Sequence, residues 1–72
     1  MVNVNKLRGK IVELGLTTAD VAEKMGIDRS TLYRKLNEPD NGFTVKEVAD
    51  MARILNLTAD DLNAIFFANI VA

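Results

Sequence analysis

The chain has 72 residues, 49% of them hydrophobic and 26% charged, with a formal net charge of −1. That length allows one domain, residues 1–72, and the composition suits a packed globule with a small core rather than a disordered segment. Cysteine and histidine are both absent, which excludes disulfide frameworks, thiol or imidazole catalysis, and metal sites built on those ligands.

No apolar run approaches the roughly 18 residues needed to span a membrane. The opening "MVNVNKLRGK" lacks the apolar centre of a secretory signal. A cytoplasmic protein is expected by elimination. The net charge averages two unlike halves. Residues 1–37 hold seven Lys/Arg against four Asp/Glu, which is +3; residues 38–72 hold two against six, which is −4. The first half suits approach to a polyanion and the second is repelled by one.

Five helical segments follow in chain order, at about 4–14, 18–25, 29–37, 45–55 and 59–67. The first carries Val4, Leu7, Ile11 and Leu14 at helical spacing, with Gly9 inside it, a position suited to close contact with a neighbouring helix, and Gly15 at its end. The second starts at Leu16-Thr17-x-x-Asp20-Val21. This is a hydroxyl cap with an acid three residues on and flanking apolar residues that set the angle at which the chain joins the helix. Ile27-Asp28-x-x-Thr31-Leu32 opens the third with an Asp cap, Phe43-Thr44-x-x-Glu47-Val48 the fourth, and Leu57-Thr58-x-x-Asp61-Leu62 the fifth. Val21, Ala22, Met25, Leu32, Leu36, Val45, Val48, Ala52, Leu55, Leu62, Ile65 and Phe66 continue the apolar stripes, and Met25 and Met51 read as core. Gly26 and Gly42 fall where helices stop, Gly42 in the "EPDNG" loop. Strand-like alternation is missing, so an all-α fold is expected.

Residues 18–37 have the spacing of a helix-turn-helix. Ala22 lets the second helix of the pair approach, Gly26 permits a left-handed turn, and Val21, Met25, Ile27 and Leu32 fill the angle between the helices. Those residues establish geometry alone. The outer face of 29–37 asks for more. With Leu32 and Leu36 inward, Arg29, Ser30, Tyr33 and Arg34 point away from the core. Arginine bridges the two acceptors of guanine or grips phosphate, and Ser30 and Thr31 adapt to either. Tyr33 and Asn37 offer neutral donors for phosphate oxygens, and Lys35 adds charge. A helix of this width fits the major groove of B-form DNA.

The stretch "TTADVAEKMGIDRSTLYRKLN" resembles the phage repressor and Cro-type, lambda-repressor-like helix-turn-helix family, also called XRE. The continuation "FTVKEVADMARILNLTADDLNAIF" is similar to that family's fourth and fifth helices, so the resemblance covers nearly the whole chain. It implies a compact five-helix DNA-binding domain, and short phage- or prophage-encoded regulators that consist of this domain alone are similar in length. Carried over position by position, it implies base contacts for Arg29, Ser30 and Arg34, a phosphate contact for Thr18, and a backbone contact for Asn37. Thr31 as a base contact, and Tyr33 and Lys35 as phosphate contacts, rest on the physical argument alone. The family often has an apolar residue where Lys35 stands, and Leu36 takes over its packing here.

The expected function is therefore a sequence-specific, double-stranded DNA-binding transcriptional regulator, a Cro-like repressor in a bacterial host cytoplasm. Such proteins bind near-palindromic operators as homodimers. The tail "LNAIFFANIVA" offers Phe67, Ile70 and Val71 as a partner face, with Leu62, Ile65 and Phe66 packed inward, or else folds back to complete this chain's own core. The competing reading is a protein-interaction module, antirepressor- or antitoxin-like, on the same frame. No cofactor, metal, small-molecule substrate or membrane partner is expected, and no enzymatic activity. Glycine-rich phosphate loops and carboxylate pairs in apolar clefts are missing, and Asp60-Asp61 read as helix-start charges.

Overall fold

The computed structural model describes residues 2–38 and 42–67. Its helices are α1 (Val4–Glu13), α2 (Thr18–Met25), α3 (Arg29–Asn37), α4 (Val45–Ile54) and α5 (Ala59–Leu62), the last running directly into a π-helical turn, Asn63–Phe67. No strand occurs among the described residues.

Most of these boundaries are set by local chemistry. Thr17, Thr44 and Thr58 each accept the amide of the acid three residues on, Asp20, Glu47 and Asp61, and each acid accepts the cap amide in return. Two orphan amides are thus satisfied at each of three helix starts. Asn3 caps α1 by accepting the Lys6 amide at 3.1 Å. The expected Asp28 cap on α3 is corrected: its carboxylate makes no cap hydrogen bond. The Thr31 amide is instead satisfied by the Asp28 carbonyl, at 3.0 Å.

Helix ends are equally regular. Gly15 and Gly26 have φ of 71° and 75°. Around Gly26, Ile27 N–H donates to Ala22 O and Gly26 N–H to Glu23 O; around Gly15, Leu16 N–H donates to Ile11 O and Gly15 N–H to Val12 O. Both are Schellman closures. A third left-handed residue, Asn56 with φ 52°, ends α4, where Leu57 N–H reaches Ala52 O at 2.9 Å. Asparagine tolerates this region better than most side chains.

The core joins Leu7, Ile11, Val21, Ala22, Met25, Leu32, Leu36, Met51, Leu55, Ile65 and Phe66, with Val4, Val48 and Leu62 packed against it. Three expectations fail. Leu14 is 47% exposed, because α1 stops at Glu13 and the chain turns away, so that Leu16 packs instead. Val45 is 89% exposed, since the first position of α4 overhangs the rim of a groove rather than another helix. Gly9 has open space where a Cβ would stand, so no helix presses on it.

The fifth helix, expected to be continuous, widens into the π turn. Consecutive Ile65 and Phe66 both point inward there. The Asn3 amide donates to the Ile65 carbonyl at 2.7 Å and ties the start of α1 to the end of the fold. Phe43 meets Phe66 edge-to-face at 5.9 Å, anchoring the segment before α4 to the same turn.

Candidate nucleic-acid interface

The helix pair α2–α3 turns at Gly26, and Ala22, 1% exposed, lies where α3 crosses α2. A methyl group is the whole of its side chain, so the two backbones approach closely. Leu32 and Leu36 bury the inner side of α3. Helical geometry then turns Arg29, Ser30, Tyr33, Arg34 and Asn37 outward, and all five are exposed. Thr18, at the start of α2, and Thr31 are half-buried.

Neither guanidinium on this face is spoken for. Among the described residues, Arg29 and Arg34 make no side-chain hydrogen bond and no ion pair. The cations that do form ion pairs are Lys10 with Glu13 and Asp61, Lys35 with Glu47, and Lys46 and Arg53 with Asp50. The acids of the second half thus neutralise mostly cations away from the exposed face of α3. A domain with net charge −1 still presents unneutralised positive charge where a polyanion would dock.

The acids show their partners in their titration. Hydrogen bonds from the Thr17 amide and hydroxyl hold Asp20 below the usual carboxylate range, and those from Thr58 do the same for Asp61, helped by Lys10. The Lys46 ammonium, with Arg53 behind it, lowers Asp50. Partial burial pushes Glu47 up, but the Thr44 amide and the Lys35 ammonium outweigh it and leave that carboxyl lowered as well.

Lys35 stands apart from the rest of its helix. It was expected to reach phosphate, but its ammonium lies 2.9 Å from Glu47 Oε1 on α4 and 5.7 Å from the centre of the Phe43 ring. Its side chain is only 16% exposed. One residue beyond Arg34 is about 100° further round a helix, and that rotation carries Lys35 off the outer face and against α4. Asn37 keeps its exposure and accepts a hydrogen bond from Arg8 Nη2 at 2.8 Å. Arg8 was not among the expected site residues. It sits 29 positions before Asn37, so no local pattern announces the pair. Arg8 also shares a shallow depression of about 290 Å³ with Thr17 and Thr18, which places it beside the start of α2.

A model of the Cro/C1-type HTH DNA-binding domain matches residues 6–67. The chain belongs to that family. The match spans α1 to the π turn, so the Cro/C1-type domain accounts for every described helix and supports a DNA-binding regulator. No curated protein and no solved structure matches the chain. No helix among the described residues is long and apolar enough to cross a membrane.

Phe43, Val45, Val48, Ala49, Ala52, Leu62 and Phe67 of the Cro/C1-type domain line an apolar groove of about 290 Å³. Phe67, expected on a partner face, is 38% exposed and forms part of its wall. Ile70 and Val71, assigned to the same face, lie outside the described residues.

Proposed function

We propose that this Cro/C1-type domain regulates transcription by laying α3 in the major groove of a specific DNA site. The observation that carries the reading is the outer face of α3. It is a turn-and-a-half of exposed polar side chains with two guanidiniums that no described protein group neutralises. In this reading Arg29, Ser30, Thr31 and Arg34 meet base edges, and Thr18, Tyr33 and Asn37 hold the flanking phosphates. Arg8 joins the phosphate set, because its bond to Asn37 puts a cation at that end of the helix. Lys35 leaves it, because its charge is committed to Glu47.

Occupying a promoter and blocking polymerase is the simplest mechanism for such a domain, which makes repression in a bacterial cytoplasm, by a phage-type regulator, the favoured role. The apolar groove bounded by Val45 and Phe67 supports a homodimer, whose two α3 helices would read half-sites about one helical turn apart. The same groove is the observation that favours the second reading, a domain that acts by binding another protein.

Selection of bound duplexes from a random DNA pool tests activity, site and symmetry together. The expected result is an enriched near-palindromic sequence with guanines in each half-site. Arg29→Ala and Arg34→Ala should each weaken binding to it by about 1–3 kcal/mol, with thermal stability almost unchanged. No enrichment, or full binding by both variants, would favour the protein-interaction reading instead.

A further inference from the structure

We infer that Lys35 is a positioning residue of the recognition helix, acting through Glu47 and never touching the duplex. The inference rests on the proposed DNA-binding role of α3, and the geometry that carries it is independent of that role. Glu47 Oε1 accepts two hydrogen bonds at once, from Lys35 Nζ at 2.9 Å and from the Thr44 amide at 2.8 Å. One oxygen therefore closes the capping box of α4 and holds the C-terminal half of α3. The ammonium also makes a long contact of 3.5 Å with the Gly42 carbonyl. It lies 5.7 Å from the centre of the Phe43 ring, which in turn meets Phe66 of the core edge-to-face.

This assembly spans the connection between the two helices. The Lys35 and Glu47 side chains, 16% and 15% exposed, are sheltered from competing water, and such shelter strengthens a charge-assisted bond. Arg34 and Asn37 flank Lys35 in sequence, so a shift of α3 away from α4 would carry both with it. A lysine pinned in this way gives the helix end a fixed position, which a helix reading base edges requires.

The alternative is that Lys35 swings out to grip phosphate, and the two roles differ in sign. Binding of a duplex selected as above is measured across a salt series for the unchanged protein, Lys35→Met, Glu47→Gln and the double variant. Methionine keeps the apolar stem, and glutamine keeps an acceptor for the Thr44 amide while removing the charge that strengthens the bond from the Lys35 ammonium. Removing an acid from a DNA-binding domain tightens binding on electrostatic grounds alone. Positioning predicts the reverse. Glu47→Gln and Lys35→Met should each weaken binding roughly tenfold, and the double variant should be no worse than either, as expected for two groups acting as one unit. The dependence of log Kd on log salt should keep its slope. A slope reduced by about 0.9 in Lys35→Met marks a lost phosphate contact and overturns the inference. So does tighter binding by Glu47→Gln.

A second readout needs no DNA. Amide chemical shifts from Tyr33 to Asn37 in the free protein should move in the same pattern in both single variants, with α1, α2 and α5 unchanged. Unmoved α3 amides would overturn the clamp even if DNA binding stands. If the unchanged protein binds no duplex, the proposed function fails, while the shifts still decide whether Lys35 and Glu47 hold α3 in place.

Discussion

Two arginines with nowhere else to go define this chain at the residue scale. Arg29 and Arg34 keep their guanidiniums free among the described residues, while Lys35 beside them is neutralised. Neighbours on one helix therefore differ in their surroundings, and sequence position alone does not show which of them is paired. Lysine reads as surface charge wherever it stands, and only the partner 12 residues away shows that this one is half-buried. Gly9 was misread for a related reason. A glycine inside a helix suggests a close neighbour, but nothing lies within 4 Å of the Cβ it lacks. Its flexibility is then uncompensated. Gly9→Ala should raise stability by about 0.5–1 kcal/mol in urea unfolding without altering DNA affinity. A destabilised variant would mean that α1 needs the glycine.

At the scale of the element, the helix starts and stops were legible because their chemistry is contained within four or five residues. Thr17, Thr44 and Thr58 form the capping boxes that their spacing implied, and Gly15 and Gly26 adopt the left-handed turns. What was not legible depends on partners distant in the chain. The Arg8–Asn37 bond joins α1 to α3, and the π turn receives the Asn3 amide. Leu14 and Val45 fit the apolar period but lie at helix ends and are exposed. The caps themselves differ in ways stability can measure. Thr44→Ala should cost about 1 kcal/mol, roughly 4–8 °C in Tm for a domain of this size, because it opens a box that also holds Lys35 through Glu47. Asp28→Ala should stay within about 0.5 kcal/mol of the unchanged protein, since its carboxylate caps nothing. Equal losses from the two would contradict the contrast.

For the whole molecule, charge is sorted by partnership rather than by amount. The acids that hold helix starts and pair with Lys10, Lys35, Lys46 and Arg53 leave the outer face of α3 with the positive charge of Arg29 and Arg34 intact. The same acids set the response to pH. Asp20, Glu47, Asp50 and Asp61 are all lowered by folding from ordinary values of 3.8 for aspartate and 4.5 for glutamate. The unfolded chain therefore binds more protons in acid, and stability falls as pH drops. The stabilisation should be fully present above about pH 5 and be lost progressively below about pH 4. Lys10 is raised from 10.5 and contributes below that value, with its share lost in strong alkali. With no histidine in the chain, the melting temperature should be nearly flat from pH 5 to 9. A rise in melting temperature on acidification below pH 4 would contradict these assignments.

We propose that the exposed side of α3, not the apolar groove lined by Val45 and Phe67, is where this Cro/C1-type domain meets its ligand. Titrating isotope-labelled protein with a selected duplex, and following backbone amide and arginine side-chain signals, tests it most directly. The largest shifts are expected at Arg29, Ser30, Arg34, Thr18 and Asn37, with Arg8 among them. Shifts confined to Val45, Val48, Ala52 and Phe67, or no shifts at all, would contradict it.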